Sequence, residues 1–338
     1  MLADTNVYEK LNVNPLRTES ANFNTELDRI FGYMQGKKAP KRFKSRLPKL
    51  PFLKLGPKIH KPGNTFRPIV SQSQSFQKPL AKHLAKILKP LLGSFSPAHL
   101  KDSVHLKQVI LAEADPNLPF LSLDVESLFT NVPVEPLLDF LRRKHEQGGV
   151  PLPEGYTIDG LLDLIQLCVT STVFSFNGNY YRQKQGVAMG SPIAPIIACL
   201  FMEYFETEVM LSIRGPLPSF WVRFIDDILL QWAYSIEEFN IFLRKLTEAE
   251  NLINLQVEWE SIISASTAHA TIPFLDLNIT RSPQGFIFQF IGSQLTLTCT
   301  LTTIQLTQQL LRREFLSLSF SELIDNALQI NFRRKLNT

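Results

Sequence analysis

The chain has 338 residues, of which 44% are hydrophobic, so it is long enough to fold as one large or two ordinary domains around a core. Glycine and proline together number 37 and no fixed-period repeat is visible, which excludes collagen-like, low-complexity and solenoid proteins. Three cysteines without C-x-x-C spacing support neither a disulfide framework nor a zinc knuckle, and the formal net charge is only +4.

The first feature along the chain is a strongly basic segment. Residues 29–101 hold 17 lysines and arginines and no acidic residue, whereas the rest of the chain holds 18 basic and 31 acidic side chains. Prolines and aromatic residues interrupt its densest part, residues 36–62, so we expect extended basic arms there rather than one helix. Such a segment is typical of a nucleic-acid-binding surface, because phosphates neutralise its charge. The alternatives are a solvated face and a nuclear-import tract.

Hydrophobic periodicity and turn signals predict the elements that follow. The first four are an amphipathic helix with a cationic face at 77–92, a short strand at 120–124, and helices at 133–144 and 158–168. A hairpin that turns at Asn177 and Gly178 follows, and then a helix from Ser191 and Pro192 through Met210. The last are two short strands over 220–232 folded about Asp226 and Asp227, and a helix through Glu250 that begins at a capping box of Ser235 and Glu238. Strands and helices alternate without a regular βαβ repeat. The predicted fold class is therefore α+β, with an antiparallel sheet backed by helices.

Three carboxylates stand out because each ends or interrupts an apolar strand. Asp124 ends FLSLD, and Asp226 and Asp227 lie within FIDDILL. A buried charge at such a position is costly unless a cation offsets it. Carboxylate oxygens suit Mg²⁺, so an Asp from one strand and an Asp pair from a neighbouring hairpin predict a two-metal site. Taken alone, Asp226 and Asp227 are more simply interpreted as a solvent-facing turn.

Two glycine-containing loops are candidates for nucleotide binding. The segment QGVAMGSPIAP contains Gln185 and Gly186 and leads into a helix start, where backbone can approach a nucleotide closely. The segment PKIHKPGNTFRPIVS groups Lys58, Lys61 and Arg67 around a Pro-Gly turn, an arrangement that suits triphosphate oxygens. The alternative for the first segment is a plain junction between a loop and a helix.

These segments, taken together, carry a family resemblance. In the order PKIHKPGNTFRPIVS, LDVESLFTNVP, QGVAMGSPIAP, RFIDDI and IPFLDLNI, the chain resembles the reverse-transcriptase domain of Penelope-like retroelements, which are relatives of telomerase reverse transcriptase, from about Asp4 to Thr280. The resemblance implies a right-hand polymerase with palm and fingers. It also implies a chain that is truncated at both ends, since the usual start of the N-terminal region and the endonuclease domain are absent.

The resemblance assigns roles to individual residues. It makes Asp124, Asp226 and Asp227 the metal-binding aspartates of the palm. Lys58 and Arg67 would hold the incoming triphosphate, and Gln185 would contact the sugar of the nucleotide. Phe129 would be the aromatic gate that occupies the space of a ribose 2′-hydroxyl and so favours dNTPs.

Simpler interpretations are open for several residues. Without the resemblance, Phe129 is more often a core aromatic than a gate. Asp276 is expected to be structural, and Glu126 and Glu135 to be surface charges. His60 is expected to pack or to contact phosphate, because no partner His or Cys has metal-ligand spacing.

The C-terminal part departs from the family. Residues 282–311 contain no Asp, Glu, Lys, Arg or His, and the family's Tyr-Arg-Lys-Pro-Thr-His-Thr-Asp segment, at the start of the primer-gripping and thumb region, is absent. A one-base shift in a codon series chosen for residues 290–298 restores that segment. We therefore hypothesise that the sequence leaves its ancestral frame near Gly285.

The expected division is a basic fingers region at 1–115, a palm at 116–285 with inserted fingers helices at about 133–185, and an atypical tail at 286–338, with the thumb missing or disrupted.

The favoured function is RNA-directed DNA synthesis in a retrotransposon, with an RNA template, a DNA primer, dNTPs and two Mg²⁺ ions, for which Mn²⁺ is a possible substitute. The alternatives are an inactive nucleic-acid-binding remnant and a structural, telomere-associated protein. The N-terminus has no secretory signal, and the most apolar run contains Pro192 and Pro195, so no membrane partner is expected. The expected location is nuclear, otherwise cytoplasmic.

Overall fold

The computed structural model describes residues 2, 5–57, 66–249, 254–259, 261–264, 269–282, 285–291 and 296–300. The described chain divides into two compact units. The first contains residues 1–106 and 120–259, and the second contains residues 107–119 together with the chain from 260 onward. The sequence-based division into fingers, palm and tail follows function rather than contacts and stays a prediction.

The strands are short and belong to three sheets. They are β1 (Tyr8–Leu11), β2 (Phe52–Pro57), β3 (Phe66–Ser71), β4 (Phe120–Val125), β5 (Val173–Phe176), β6 (Asn179–Gln183), β7 (Phe220–Phe224), β8 (Asp227–Gln231), β9 (Leu255–Trp259), β10 (Ser261–Ser264), β11 (His269–Phe274), β12 (Leu277–Ser282), β13 (Gly285–Phe290) and β14 (Thr296–Thr300). The α-helices are α1 (Leu16–Gln35), α2 (Lys78–Leu88), α3 (Ser103–Glu113), α4 (Leu128–Asn131), α5 (Val134–Glu146), α6 (Ile158–Thr170), α7 (Ala194–Tyr204) and α8 (Ile236–Ala249). The mixed α+β class that the sequence predicts is confirmed.

Two sheets belong to the first unit. One has the order β7-β8-β4-β9, and all its neighbours are antiparallel. The other has the order β1-β6-β5-β2-β3 and is antiparallel except where Phe52 pairs with Ser175 in parallel. The four-stranded sheet matters most for function, because it brings together β4 and β8, which the chain separates by about 100 residues.

Local sequence explains the ends of several elements. Asn177 and Gly178 both have positive φ, 46° and 75°, as a two-residue hairpin between β5 and β6 requires. Ser235 and Glu238 form the predicted capping box, since each side chain accepts a hydrogen bond from the other's backbone N–H. The Thr157 hydroxyl caps α6 by accepting from the Gly160 N–H at 3.1 Å.

The core of the first unit forms around α7. This helix is apolar on nearly all sides, and nine of its eleven residues are buried, as expected for a helix surrounded by protein. Apolar faces of α1, α2, α5 and α6 belong to the same cluster. Five residues at Phe205–Val209 continue α7 as a π-helical turn, so the predicted helix through Met210 changes its hydrogen bonding before it ends.

The N-terminal part of the first unit differs from the sequence prediction in two respects. Helix α1 was not predicted, although Phe23, Leu27, Ile30 and Phe31 give it a buried face at helical spacing. The described part of the segment at 36–62 is not one helix and includes the extended strand β2, as predicted, but β2 is paired with β3 rather than being a free arm, and a 3₁₀ turn lies at Lys41–Phe43. Tertiary pairing of apolar residues such as Leu53 with Val70 determines these elements.

The second unit is built on an antiparallel sheet with the order β10-β11-β12-β13-β14. Strand β13 pairs with β12 over its whole length, and Phe286 and Phe288 are buried. The Lys107 ammonium lies 5.6 Å from the centre of the Phe288 ring. Residues 301–338, most of the predicted atypical tail, lie outside the described residues. In the part of the chain that the structure describes, every helix is too short or too polar to span a bilayer.

Candidate active site

The pairing of β4 with β8 brings two of the predicted aspartates face to face. Asp124 and Asp227 are directly opposite one another in the antiparallel register. Side chains at such positions lie on the same face of the sheet, with Cβ atoms about 4.5–5.5 Å apart. Asp226 precedes β8 in the turn, and its carbonyl oxygen accepts a hydrogen bond from the Val125 N–H at 3.1 Å. The three aspartates therefore come together at one end of the four-stranded sheet.

Backbone strain is concentrated beside these carboxylates. Ile225, in the turn between β7 and β8, has φ 57°, and Ser127, two residues after β4, has φ 52°. Left-handed conformations of residues other than glycine cost about 1–3 kcal/mol each and persist only where surrounding contacts enforce them. Such strain is typical of functional sites, and here it lies on both sides of the aspartates.

The aspartates open onto a cavity of about 480 Å³, which we call the carboxylate cleft. Its lining combines the polymerase-type positions predicted from the sequence with neighbours that were not predicted. The lining residues are Phe66, Arg67, Pro68, Asp124, Val125, Glu126, Ser127, Leu128, Phe129, Thr130, Met189, Asp226, Asp227 and Gln256. The structure thus brings Arg67 and Phe129 to the same cavity as the three carboxylates. Such a cavity is large enough for a nucleotide-sized ligand.

The loop at 185–190, part of the segment QGVAMGSPIAP, is hydrogen-bonded to the cleft wall. The Val187 N–H donates to the Phe129 carbonyl oxygen at 2.6 Å. Gly186 has φ 68°, and a Cβ there would overlap the carbonyl groups of Phe129 and Thr130. Only glycine fits this close approach, so the contact with the loop fixes the position of the chain segment that carries Phe129.

The same loop is also joined to β3. The Val70 N–H donates to the Met189 carbonyl oxygen at 2.7 Å. Gly190 has φ 107°, and a Cβ there would overlap the Val70 carbonyl oxygen. The loop therefore connects the strand that carries Arg67 to the segment that carries Phe129.

The predicted nucleotide contacts are only partly brought together. Gln185 is half-buried, does not line the cleft, and accepts at its carbonyl oxygen a hydrogen bond from the Gln183 side chain at 2.9 Å. Gly186 acts through the backbone approach described above. Arg67 is exposed on β3 and lines the cleft. Lys58 and Lys61 lie outside the described residues.

One residue of the cleft lining, Glu126, was misinterpreted in the sequence, and its hydrogen-bond partner Gln256 was missed. Glu126, interpreted as a surface charge, is half-buried in the cleft wall, where its carboxylate accepts a hydrogen bond from the Gln256 side chain. Its backbone N–H donates to the Asn254 carbonyl oxygen at 2.9 Å. The signal was its spacing of two from Asp124, which places both side chains on one face of an extended segment.

A buried ion pair behind the cleft was also missed. Arg223, on β7, and Glu206, in the π-helical turn, are 0% and 2% exposed at their side chains, and Arg223 Nε lies 2.6 Å from Glu206 Oε1. Burial lowers the pKa of Arg223, but the negative charge of Glu206 raises it, and the net direction is upward. Arg223 therefore stays protonated. Removal of one partner of such a pair typically costs about 3–5 kcal/mol.

A second buried carboxylate lies one helical turn away. Glu203 accepts hydrogen bonds from the backbone N–H groups of Gly93, Phe95 and Ser96 at 2.7–3.3 Å. Burial raises the pKa of the Glu203 carboxyl, and the Gly93 and Phe95 N–H donors, together with the positive charge of Arg223, oppose the shift without reversing it. Glu203 thus organises the loop at 93–96.

The donor set of the cleft suits hard cations, although it is not yet a closed metal site. In the described ranges, no three His, Cys, Asp or Glu side chains are grouped closely enough to hold a metal ion as they stand. Chemically, the carboxylates of Asp124, Asp226 and Asp227 supply only oxygen ligands, which Mg²⁺ prefers. Since the first and last of these are opposite in register, their side chains project from the same face of the sheet, as carboxylates that share an ion must. The residues therefore fit the predicted metal.

The cations of the basic segment are mostly on the surface. Thirteen of the fifteen described lysines and arginines between 29 and 101 are exposed. Within the described part, ion pairs in this segment involve Arg29 and Lys44. Its surface thus carries a large excess of positive charge that acidic side chains do not neutralise.

Comparison of the sequence with known protein families identifies one match. The family described as Reverse transcriptase (RNA-dependent DNA polymerase) matches residues 59–264, which contain all three aspartates, Arg67 and Phe129. No curated protein is a significant match to this chain.

Solved telomerase structures resemble the fold. Apo telomerase from Candida tropicalis has a TM-score of 0.54 at 11% identity, with 82% of this chain and 53% of that chain covered. Telomerase from Candida tropicalis with the TWJ fragment of telomeric RNA has a TM-score of 0.52 at 13% identity, with coverages of 76% and 47%. Telomerase from Candida albicans with a TWJ fragment of telomeric RNA has a TM-score of 0.51 at 15% identity, with coverages of 73% and 48%. The chain thus spans about half the length of these proteins and shares the fold of their palm and fingers.

Proposed function

Since the chain belongs to the reverse transcriptase (RNA-dependent DNA polymerase) family, we propose that it copies an RNA template by extending a DNA primer with dNTPs. In the proposed reaction the primer 3′-hydroxyl attacks the α-phosphorus of a dNTP, and pyrophosphate leaves. The single observation that carries the proposal is the arrangement of Asp124 and Asp227 opposite each other, with Asp226 beside them, in one nucleotide-sized cleft.

The carboxylates have a defined role in this proposal. Asp124, Asp226 and Asp227 would hold two Mg²⁺ ions, for which Mn²⁺ is a substitute. When bound, such ions lower the pKa of an attacking hydroxyl and neutralise charge on the leaving group. Antiparallel pairing and the turn before β8 fix the aspartate backbones, so little reorganisation of the chain is needed when substrate arrives.

Two further residues of the cleft suit a nucleotide. The Arg67 guanidinium is an exposed cation at the cleft wall and is a strong ligand for phosphate oxygens. The Phe129 side chain packs partly against the core while it lines the cleft, so its ring is held in place. A fixed ring beside the sugar would exclude a 2′-hydroxyl and favour dNTPs. Lys58 and Gln185 complete the proposed binding set by family resemblance, and Lys61 by its place beside the same Pro-Gly turn.

The basic segment supports a nucleic-acid partner. In the described part of this segment, exposed lysines and arginines far outnumber the two that form ion pairs, so the surface attracts a polyanion, and each neutralised phosphate adds salt-dependent affinity. Two of the similar telomerases are described as complexes with telomeric RNA. We propose that RNA template and DNA primer contact this surface of the present chain.

The order of motifs favours a retroelement origin. The segments from PKIHKPGNTFRPIVS to IPFLDLNI resemble Penelope-like elements, and we propose that the chain is the reverse-transcriptase domain of such a retrotransposon. A nuclear location, or otherwise a cytoplasmic one, belongs to the same proposal.

Primer extension on an RNA template with dNTPs and Mg²⁺ tests the proposed activity. Asp276 provides a matched control for Asp226, because it also follows a residue with positive φ, Leu275, in a two-residue hairpin turn. We expect Asp226→Asn to reduce extension by about 100-fold or more, and Asp276→Asn to extend as the unmodified chain does. Salt-sensitive binding without any Mg²⁺-dependent extension would overturn the proposal and favour the inactive nucleic-acid-binding remnant.

A further inference from the structure

The buried Arg223 side chain makes contacts on two sides. On one side, Nε and Nη2 bind the two carboxylate oxygens of Glu206 at 2.6 and 3.2 Å. On the other side, Nη1 donates to the carbonyl oxygen of Ile225 at 3.3 Å. A single guanidinium therefore connects the π-helical turn to the turn of the hairpin at residues 220–231, which we call the Asp226 hairpin.

The contact with Ile225 falls on the strained residue of that turn. Ile225 is β-branched and has φ 57°, a conformation that such residues rarely adopt. Asp226 follows it directly, so any relaxation of Ile225 would turn the peptide that leads to Asp226. The bond from Arg223 opposes this relaxation, because it holds the Ile225 carbonyl oxygen in its observed direction.

The position of Glu206 is itself well determined. Its carboxylate accepts a third hydrogen bond, from the Trp221 indole N–H at 3.2 Å. Trp221 and Arg223 are two residues apart on β7, so both side chains contact Glu206 from one face of the strand. Glu206 belongs to a π-helical turn, a feature that is rare and occurs frequently at functional sites.

The backbone of Arg223 is also fixed. Its N–H donates to the Ala98 carbonyl oxygen at 2.7 Å, and its carbonyl oxygen accepts from the Leu100 N–H at 2.8 Å. These bonds attach the outer edge of β7 to the segment at 98–100. With backbone and side chain both held, the guanidinium has little freedom to leave the turn.

We propose that Arg223, held by Glu206, is a positioning residue that keeps Ile225 in its left-handed conformation and so places Asp226 in the carboxylate cleft. The proposal rests on the proposed polymerase function. Arg223 itself does not line the cleft. It acts through the Ile225 carbonyl group, and its shape is needed because only a planar guanidinium contacts both Glu206 and the turn.

Conservative substitution separates positioning from simple stabilisation. In Arg223→Lys the positive charge beside Glu206 is kept, but a single ammonium cannot reproduce the fork that contacts both Glu206 and Ile225. Glu203→Gln is the matched control, because Glu203 is an equally buried carboxylate one turn away whose charge also acts on Arg223, while its described hydrogen bonds hold the loop at 93–96 rather than the hairpin. Both variants perturb the core, and only the first removes the contact with the turn.

Hydrogen exchange of the 338-residue chain tests the proposal directly. We expect the amides at 225–227 to exchange about 10-fold faster in Arg223→Lys, relative to core amides of β4, and not in Glu203→Gln. Unchanged exchange at the turn in Arg223→Lys, or an equal increase in Glu203→Gln, would overturn the proposal. This measurement does not depend on polymerase activity, so absence of extension by the unmodified chain would refute the proposed function alone.

Steady-state kinetics of primer extension test whether the conformation of the turn at Ile225 affects the reaction. In Arg223→Lys we expect kcat for primer extension to fall about 10-fold, while KM for dNTP stays within about twofold, because the substrate contacts are untouched. Glu203→Gln should leave both parameters within about twofold of the unmodified chain at a temperature where all the variants are folded. An unchanged kcat in Arg223→Lys, or a rise in KM without a fall in kcat, would also overturn the proposal.

Discussion

Asp124 and Asp227 lie directly opposite each other on antiparallel strands, although about 100 residues separate them along the chain. This relationship gives the carboxylate cleft its geometry, because the pairing of β4 with β8 fixes both backbones. Among the described residues, Asp226 is bonded through its carbonyl oxygen to the end of β4, the Phe129 carbonyl oxygen is bonded to the loop at 185–190, and Arg67 lies on β3, which is bonded to the same loop.

Substitution of Gly186 tests the joint between that loop and the cleft wall. In Gly186→Ala we expect the free energy of unfolding to fall by about 1–3 kcal/mol and extension to weaken, since the added Cβ overlaps the Phe129 and Thr130 carbonyl groups. Gly36→Ala is the control, because Gly36 has nearly the same φ, 65°, and nothing within 4 Å of a Cβ. Urea denaturation measures both variants, and equal losses would show that the overlap is unimportant.

The aromatic gate is tested by sugar selectivity. Phe129→Ala should raise kcat/KM for rNTPs relative to dNTPs by about 10-fold or more, because the ring no longer excludes the 2′-hydroxyl. Phe66→Ala removes another aromatic ring from the cleft lining and should leave the ratio unchanged. A dNTP preference that survives in Phe129→Ala would favour the simpler interpretation of Phe129 as a core aromatic.

Arg67 is predicted to act mainly in nucleotide binding. We expect Arg67→Gln to raise KM for dNTP by about 10-fold, which corresponds to the loss of a charge-assisted hydrogen bond to phosphate. Lys82→Gln, which removes an exposed cation from α2 away from the cleft lining, should leave KM unchanged. Steady-state kinetics with varied dNTP measure both, and equal effects would mean that Arg67 contributes only general positive charge.

Stability should decrease in mild acid because of two partly buried histidines. Burial lowers the pKa of both His83 and His99 below the usual value of 6.5, with nearby arginine and lysine charges as smaller causes. The unfolded chain therefore takes up protons first, so the free energy of unfolding falls as the pH drops below about 6.5 and levels off once the folded imidazoles are protonated.

Denaturant unfolding between pH 8 and pH 5 measures this effect. His83→Gln and His99→Gln should each reduce the slope of stability against pH, and the double variant should reduce it most. A slope that neither substitution changes would assign the acid sensitivity to other groups.

The sequence identified the carboxylates of the site, but it did not predict the strand register and loop contacts that position them. FLSLD and FIDDILL identify Asp124, Asp226 and Asp227, because carboxylates that interrupt apolar strands are unusual. The register that opposes Asp124 to Asp227 could not be predicted, since pairing of distant strands depends on the whole sheet. The separation of Gln185 from the cleft lining has the same origin, because it reflects how the loop folds onto β3 and the segment before α5.

The supporting ion pair shows the limit of sequence reasoning most clearly. Arg223 within FWVRF and Glu206 after a long apolar run were each visible as polar residues in apolar surroundings. Nothing in their spacing of 17 residues shows that they pair, because the π-helical turn that directs Glu206 toward β7 is a tertiary feature. Helix α1, by contrast, carried a readable signal in the helical spacing of Phe23, Leu27 and Phe31.

The rate of single-nucleotide incorporation in one turnover tests the catalytic role of the carboxylate cleft most directly. With RNA template and DNA primer bound in advance, Asp124→Asn should incorporate a dNTP at least about 100-fold more slowly than the unmodified chain, while binding of the RNA–DNA duplex is unchanged. Incorporation by Asp124→Asn within about threefold of the unmodified rate would contradict the assignment of the cleft as the site of polymerisation.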